Sequence, residues 1–122
     1  MTTSTLTVTE FVLARIAEDE SAAREVILPG PWTCTGGLVT HVSDVGTIWI
    51  VAEHVGEDGP HIARHDPARV LAQCAAMRKI VEDREHIATI PGHGAMLAHA
   101  DFVLRQLTSI WSDHPDFDPA WS

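Results

Sequence analysis

Cationic residues are scarce in this chain. Eight Lys and Arg stand against seventeen Asp and Glu, for a formal charge of −9 and a pI near 5.1. The few cations form no cluster, and binding to a phosphate backbone or an anionic membrane surface needs one. Neither nucleic acid nor membrane is therefore expected as a direct partner. Cysteine is nearly as rare. Cys34 and Cys74 make no CxxC pair and no ladder of short spacings; one disulfide is arithmetically possible, but reduced thiols of a cytoplasmic protein are expected. No apolar run reaches the length of a membrane span, and Met1 to Thr9 lack the basic stretch and apolar block of a signal peptide. The chemistry-bearing strings GxSxG, GxGxxG and the P-loop are missing as well, so no catalytic residue and no cofactor is assigned.

What is present is ordinary globular composition: 45% hydrophobic and 20% charged residues over 122 positions, enough for the core of one domain spanning 1–122. Thr7 and Glu10 have the spacing of a capping box, with Leu6 and Phe11 placed as a hydrophobic staple. Apolar residues then recur at helical intervals through Ile27, while Arg15, Glu18, Asp19, Glu20 and Arg24 are assigned to the solvent face. The expected helix covers about 7–28 and stops at Pro29-Gly30-Pro31.

The period then changes. Residues 32–54 are rich in Val, Ile, Thr and Trp, with Gly36-Gly37 and Ser43-Asp44 as turn signals, which predicts a small antiparallel sheet of two or three strands. After the loop Glu57-Asp58-Gly59-Pro60 comes a short helix at about 60–65. Asp66-Pro67 then opens a helix to about 86, because Asp caps well and Pro has no N–H to leave unpaired. Ile90-Pro91-Gly92 breaks the chain before a last helix at about 95–111. An extended tail at 112–122 follows, with Phe117 and Trp121 expected to anchor it. The fold class is α+β.

Eight histidines raise the question of metal. His61 and His65 stand four apart, which places two imidazoles on one helical face, and His54, His86, His93 and His99 with Asp101 could supply further donors. The pattern lacks the Glu of HExxH and any Cys/His quartet, so zinc through His61, His65, His86, His93 and His99 is the lesser expectation. Packing and hydrogen bonding around a helix junction is the plainer role for the first two. Pro91-Gly92-His93-Gly94 is similar to a segment of metallo-β-lactamase-type hydrolases, but their HxHxDH cluster is absent, and the string is assigned to a tight turn and helix start. Cys74 falls on an apolar stripe between Leu71 and Met77, where cysteine is inert packing; Asp19-Glu20 and Glu82-Asp83 are assigned to surface charge. His61, Arg64, His65 and Arg69 crowd one junction and form the candidate functional surface.

Three segments, Pro29 to Trp32 (PGPW), His61 to Leu71 (HIARHDPARVL) and Asp113 to Trp121 (DHPDFDPAW), occur in this order. Together they resemble an uncharacterised family of small proteins from actinobacteria and their phages, over nearly the whole chain. The resemblance implies kinship without an activity. It also implies that relatives carry a Cys/His-rich stretch with zinc-like spacing before the C-terminal segment. Here the matching region, Glu85 to His99, holds no cysteine and retains only His86, His93 and His99.

The expected function is that of a small acidic accessory protein, phage or prophage encoded, which binds a host protein or self-associates as a homo-oligomer. A nucleic-acid mimic that occupies a DNA-binding protein is one alternative, and a His-based metal protein or enzyme is another.

Overall fold

A computed structural model describes residues 6–122. The capping box forms as the spacing demands: the Thr7 N–H donates to Glu10 Oε1 at 3.0 Å and the Glu10 N–H donates to Thr7 Oγ1 at 3.1 Å. Helix α1 runs over Val8–Arg24. It ends four residues before the expected 28. Glu25 makes the last helical hydrogen bond, to Ser21, and the carbonyl of Leu28 instead accepts the Trp32 indole N–H at 2.7 Å. The proline at 29 disfavours helical geometry in the residue before it, so the chain leaves the helix early.

Strands β1 (Trp32–Thr35), β2 (Leu38–Val42) and β3 (Ile48–Glu53) form one antiparallel sheet in the order β1-β2-β3. The β1–β2 turn is Gly36-Gly37, with φ of 57° and 80°; two consecutive left-handed residues match strand twist and need glycine. Between β2 and β3, Ser43 and Thr47 close a turn through Ser43 N–H to Thr47 O at 2.8 Å and Thr47 N–H to Ser43 Oγ at 3.0 Å. A single turn of 3-10 helix (Gly56–Asp58) leads into α2 (Gly59–Arg64), then come α3 (Pro67–Ile87) and α4 (Gly94–Thr108). The last expected helix is shorter than predicted. Thr108 Oγ1 and Ser109 Oγ each donate to the carbonyl three residues back, at 2.6 Å, and the chain tightens into a 3-10 turn over Ser109–Trp111.

The chain divides into two compact units, with boundaries inside α1 and α3. In the unit containing Ala75–Ser122 and the chain up to Glu18, Phe11, Val12, Ile16, Val81, Leu104 and Thr108 are buried. Phe11 is its aromatic hub: ring centroids of Trp121, His114, Phe117 and Trp111 lie 5.1, 5.7, 6.2 and 6.4 Å away. Phe117 and Trp121 therefore anchor the tail as their type suggests. The tail's path is turned rather than extended, because the Asp116 N–H donates to His114 Nδ1 and Asp118 Oδ1 starts a 3-10 turn over Pro119–Trp121. Arg15 is buried in this unit instead of facing solvent. Its guanidinium carbon sits 5.4 Å over the Phe11 ring, and Nη2 donates to Glu18 at 3.0 Å. Cation–π attraction and an apolar stem make that burial tolerable. Glu20, likewise assigned to the surface, is buried too.

In the other unit, Asp19–Cys74, the sheet packs with α2 around Val39, and Ala23 and Cys74 are buried. Cys34 and Cys74 are free thiols. No helix among the described residues is long and apolar enough to cross a membrane.

Candidate functional site

The junction singled out in the sequence is built around Asp66. Its buried carboxylate uses both oxygens: Oδ1 accepts the Arg69 N–H at 2.9 Å as the cap of α3, and Oδ2 accepts the Trp32 N–H at 3.0 Å. One side chain thus joins PGPW to HIARHDPARVL. His61 and His65 do come together, with ring centroids 4.4 Å apart. His65 Nδ1 lies 2.8 Å from the His61 carbonyl, which can only accept, so that nitrogen carries the proton. Arg69 Nη1 donates to the Arg64 carbonyl at 3.3 Å. His61, Arg64, His65 and Arg69 are all exposed, and the His65 ring and the Arg69 guanidinium bond to backbone carbonyls of the junction itself. Their geometry is that of a well-tied chain reversal.

The other histidines stay apart. His86 sits in the last turn of α3 and its carbonyl accepts the Thr89 hydroxyl. His93 precedes α4, with its Nδ1 buried and unpartnered, and His99 stacks on Phe102 at 6.3 Å. Among the described residues no group of three or more His, Cys, Asp or Glu converges to hold a metal ion. Between α3 and α4 lies an open apolar groove of about 690 Å³, lined by Ile80, Ile87, Met96 and Val103 with Lys79, Asp83 and His99 at its polar points.

The sheet carries the more informative surface. Strand order leaves β1 and β3 at the edges, and α2 packs against β1. Among the described residues no strand lies beyond β3. Along this edge Ile48 is 66%, Trp49 52% and Ile50 55% exposed, joined by Val42 at 53% and Val45 at 88%. Pairing puts Trp32, His41 and Trp49 in one cross-strand row, on the face that also carries buried Val39. Ile48, Ile50 and Val42 belong to the opposite, open face. Natural edge strands are guarded by charge, proline or bulges. Thr47 to Ala52 contains no charge and no proline. Its guards are the exposed charge of Glu53 at the strand's end and a bulge: Val39 pairs with Ala52 and Thr40 with Ile50, which leaves Val51 over. Three consecutive residues, Ile48 to Ile50, therefore present a regular, apolar strand paired to β2 on one side only.

The β-branched run at 47–51 marked a strand from its composition, but a buried central strand has the same composition, so the pattern alone could not mark it as exposed. The signal available was connectivity: a strand last in a meander, with only helices following it in the chain and no further strand to pair with it.

A family model describing a family of unknown function, DUF6221, matches residues 5–122, and the chain belongs to that family. No curated protein and no solved structure matches it.

Proposed function

We propose that this member of the family is a small accessory protein of the cell interior, of actinobacterial phage or prophage origin, whose work is protein–protein contact. The contact surface is the β3 edge with its flanking apolar side chains, and its mode is addition of a strand to the sheet. The observation that carries this is the exposure of Ile48, Trp49 and Ile50 on an edge strand with no charge among them. An unpaired row of N–H and C=O groups supplies directional hydrogen bonds, and alternate side chains supply selectivity. Three large apolar residues in one exposed run exceed what scattered surface hydrophobics require.

Ile50→Lys tests it. Ile50 is half exposed, so the variant is expected to fold with a native circular dichroism spectrum. The wild-type chain is expected to retain a protein partner from an actinobacterial lysate, or a second copy of itself in sedimentation, with slowed exchange at the outward-facing amides of the Ile48–Ile50 run. The variant is expected to lose both. Equal retention by a folded Ile50→Lys protein removes the β3 edge from the function. Nucleic-acid mimicry has less to build on, because exposed carboxylates occur in both units, from Glu53 and Asp58 to Asp83 and Asp118.

A further inference from the structure

Resting on the edge contact proposed above, we infer that the strand received by β3 is a basic one: an extended segment with a short β-branched core and Lys or Arg at both flanks. Its core length follows from the edge. The Ser43–Thr47 turn precedes Ile48 and the Val51 bulge follows Ile50, so the regular edge is about 10 Å long at roughly 3.3 Å per residue. An incoming strand finds Ile48 and Ile50 on the open face and Trp49 on the other. Small β-branched side chains fit beside the first two, and the indole face attracts a cation.

Charge selects the flanks. From Glu25 through Ala63 the chain has no Lys or Arg and five carboxylates: Glu25, Asp44, Glu53, Glu57 and Asp58. All five are exposed. Asp44 and Glu53 bracket the apolar run, one in the turn before it and one at the end of β3. Natural edges commonly carry lysine as a guard; here the bracket has the opposite sign, within a stretch from 25 to 63 that holds no Lys or Arg. A second copy would bring the same carboxylates and a further net charge of −9 to the contact. Like charges across an interface suppress a partner, whereas opposite ones accelerate and orient it. A basic strand satisfies the hydrogen-bonding row, the apolar centre and the acidic bracket together.

Fluorescence anisotropy of labelled short peptides on the intact chain decides the matter. One peptide carries two lysines at each end of an alternating Thr/Val core. A second replaces the lysines by glutamates, and a third keeps the lysines but places proline at the centre. The basic peptide is expected to bind with an affinity that falls as salt rises, and the acidic peptide at least about tenfold more weakly. The proline peptide is expected to be lost because it cannot continue the ladder. Asp44→Asn and Glu53→Gln are each expected to weaken the basic peptide about two- to fivefold. Equal binding of acidic and basic peptides, equal binding of the proline peptide, or no effect of either neutralising variant overturns the inference. If no peptide binds while Ile50→Lys still abolishes self-association or partner retention, the basic-strand inference falls and the edge contact stands. If Ile50→Lys also changes nothing, both fall.

Discussion

At Gly59 the helix α2 meets the Cys34 side chain of β1, and a single methyl group tests that packing. Gly59 is buried at the first position of α2 with φ −54° and ψ −48°, a conformation alanine adopts without strain. A Cβ there would overlap Cys34 Sγ, sit 3.0 Å from Val55 Cγ2 and touch Cys34 Cβ at 3.7 Å. Two effects oppose each other in Gly59→Ala. Helix preference favours alanine by at most about 1 kcal/mol, and less at a first helical position. Overpacking costs about 1–3 kcal/mol. Cys34 is only half buried and its sulfur can turn aside, which places the net loss near 1–2 kcal/mol. Cys34→Ala alone is expected to cost about 1 kcal/mol for the lost sulfur contacts. In the double variant the sulfur is gone, so the added methyl fills the space it left. The double variant is expected to be at least as stable as Gly59→Ala alone, a favourable coupling of about 1–2 kcal/mol. Urea unfolding followed by circular dichroism and tryptophan fluorescence reads all four proteins. Strict additivity, or a Gly59→Ala protein more stable than wild type, would refute close packing of α2 on β1.

Asp66 tests the junction. Asp66→Ala removes two hydrogen bonds to a buried carboxylate and is expected to cost about 2–4 kcal/mol in urea unfolding. Asp66→Asn keeps one acceptor for the α3 cap but turns an amide toward the Trp32 N–H, so about half that loss is expected. Equal stability of all three proteins excludes the shared-carboxylate design. Glu10 tests the N-terminal cap. Hydrogen bonds from the Thr7 backbone, then from its hydroxyl, hold the Glu10 carboxyl below the ordinary glutamate value. A depressed folded pKa contributes stability above the unfolded value, and that contribution is lost as pH falls through the folded one. Carboxyl-carbon NMR is expected to show Glu10 titrating below free glutamate. Thr7→Ala removes the hydroxyl and is expected to move Glu10 part of the way back up; an unmoved titration rejects the reciprocal box.

The local signals were legible wherever a short-range hydrogen bond determined the outcome. Thr7 with Glu10, Asp66 before Pro67 and Gly36-Gly37 each specify a cap or turn within four residues, and each forms. Composition also identified the β-branched strands and the aromatic anchors of the tail. Long-range facts were not legible. The second oxygen of Asp66 meets Trp32, thirty-four residues away, and nothing in either segment announces the other. Arg15 has the helical phase of a surface residue, yet Phe11 one turn earlier offers its ring. The histidines illustrate the same limit. Spacing correctly paired His61 with His65, because four residues is one helical turn, but it could not show where the donors on separate elements would go.

The motifs that carry the family resemblance and the surface that carries the proposed contact are different parts of the molecule, and the physical reason is visible at Asp66. PGPW and HIARHDPARVL are joined by one buried carboxylate, which ties the start of β1 to the start of α3. The residues between Gly59 and Arg64 form α2, which packs on β1 and closes that side of the sheet. Such residues are constrained by geometry: an unpaired oxygen or an added methyl costs stability whatever the protein does. The β3 edge is under no such constraint, since Ile48, Trp49 and Ile50 stabilise the isolated fold little while half exposed. Their cost is an open strand that invites association, which the bulge at Val51 and the charge of Glu53 reduce. In the proposed contact, apolar residues that contribute little to folding serve the incoming strand, and the carboxylates on either side select its charge.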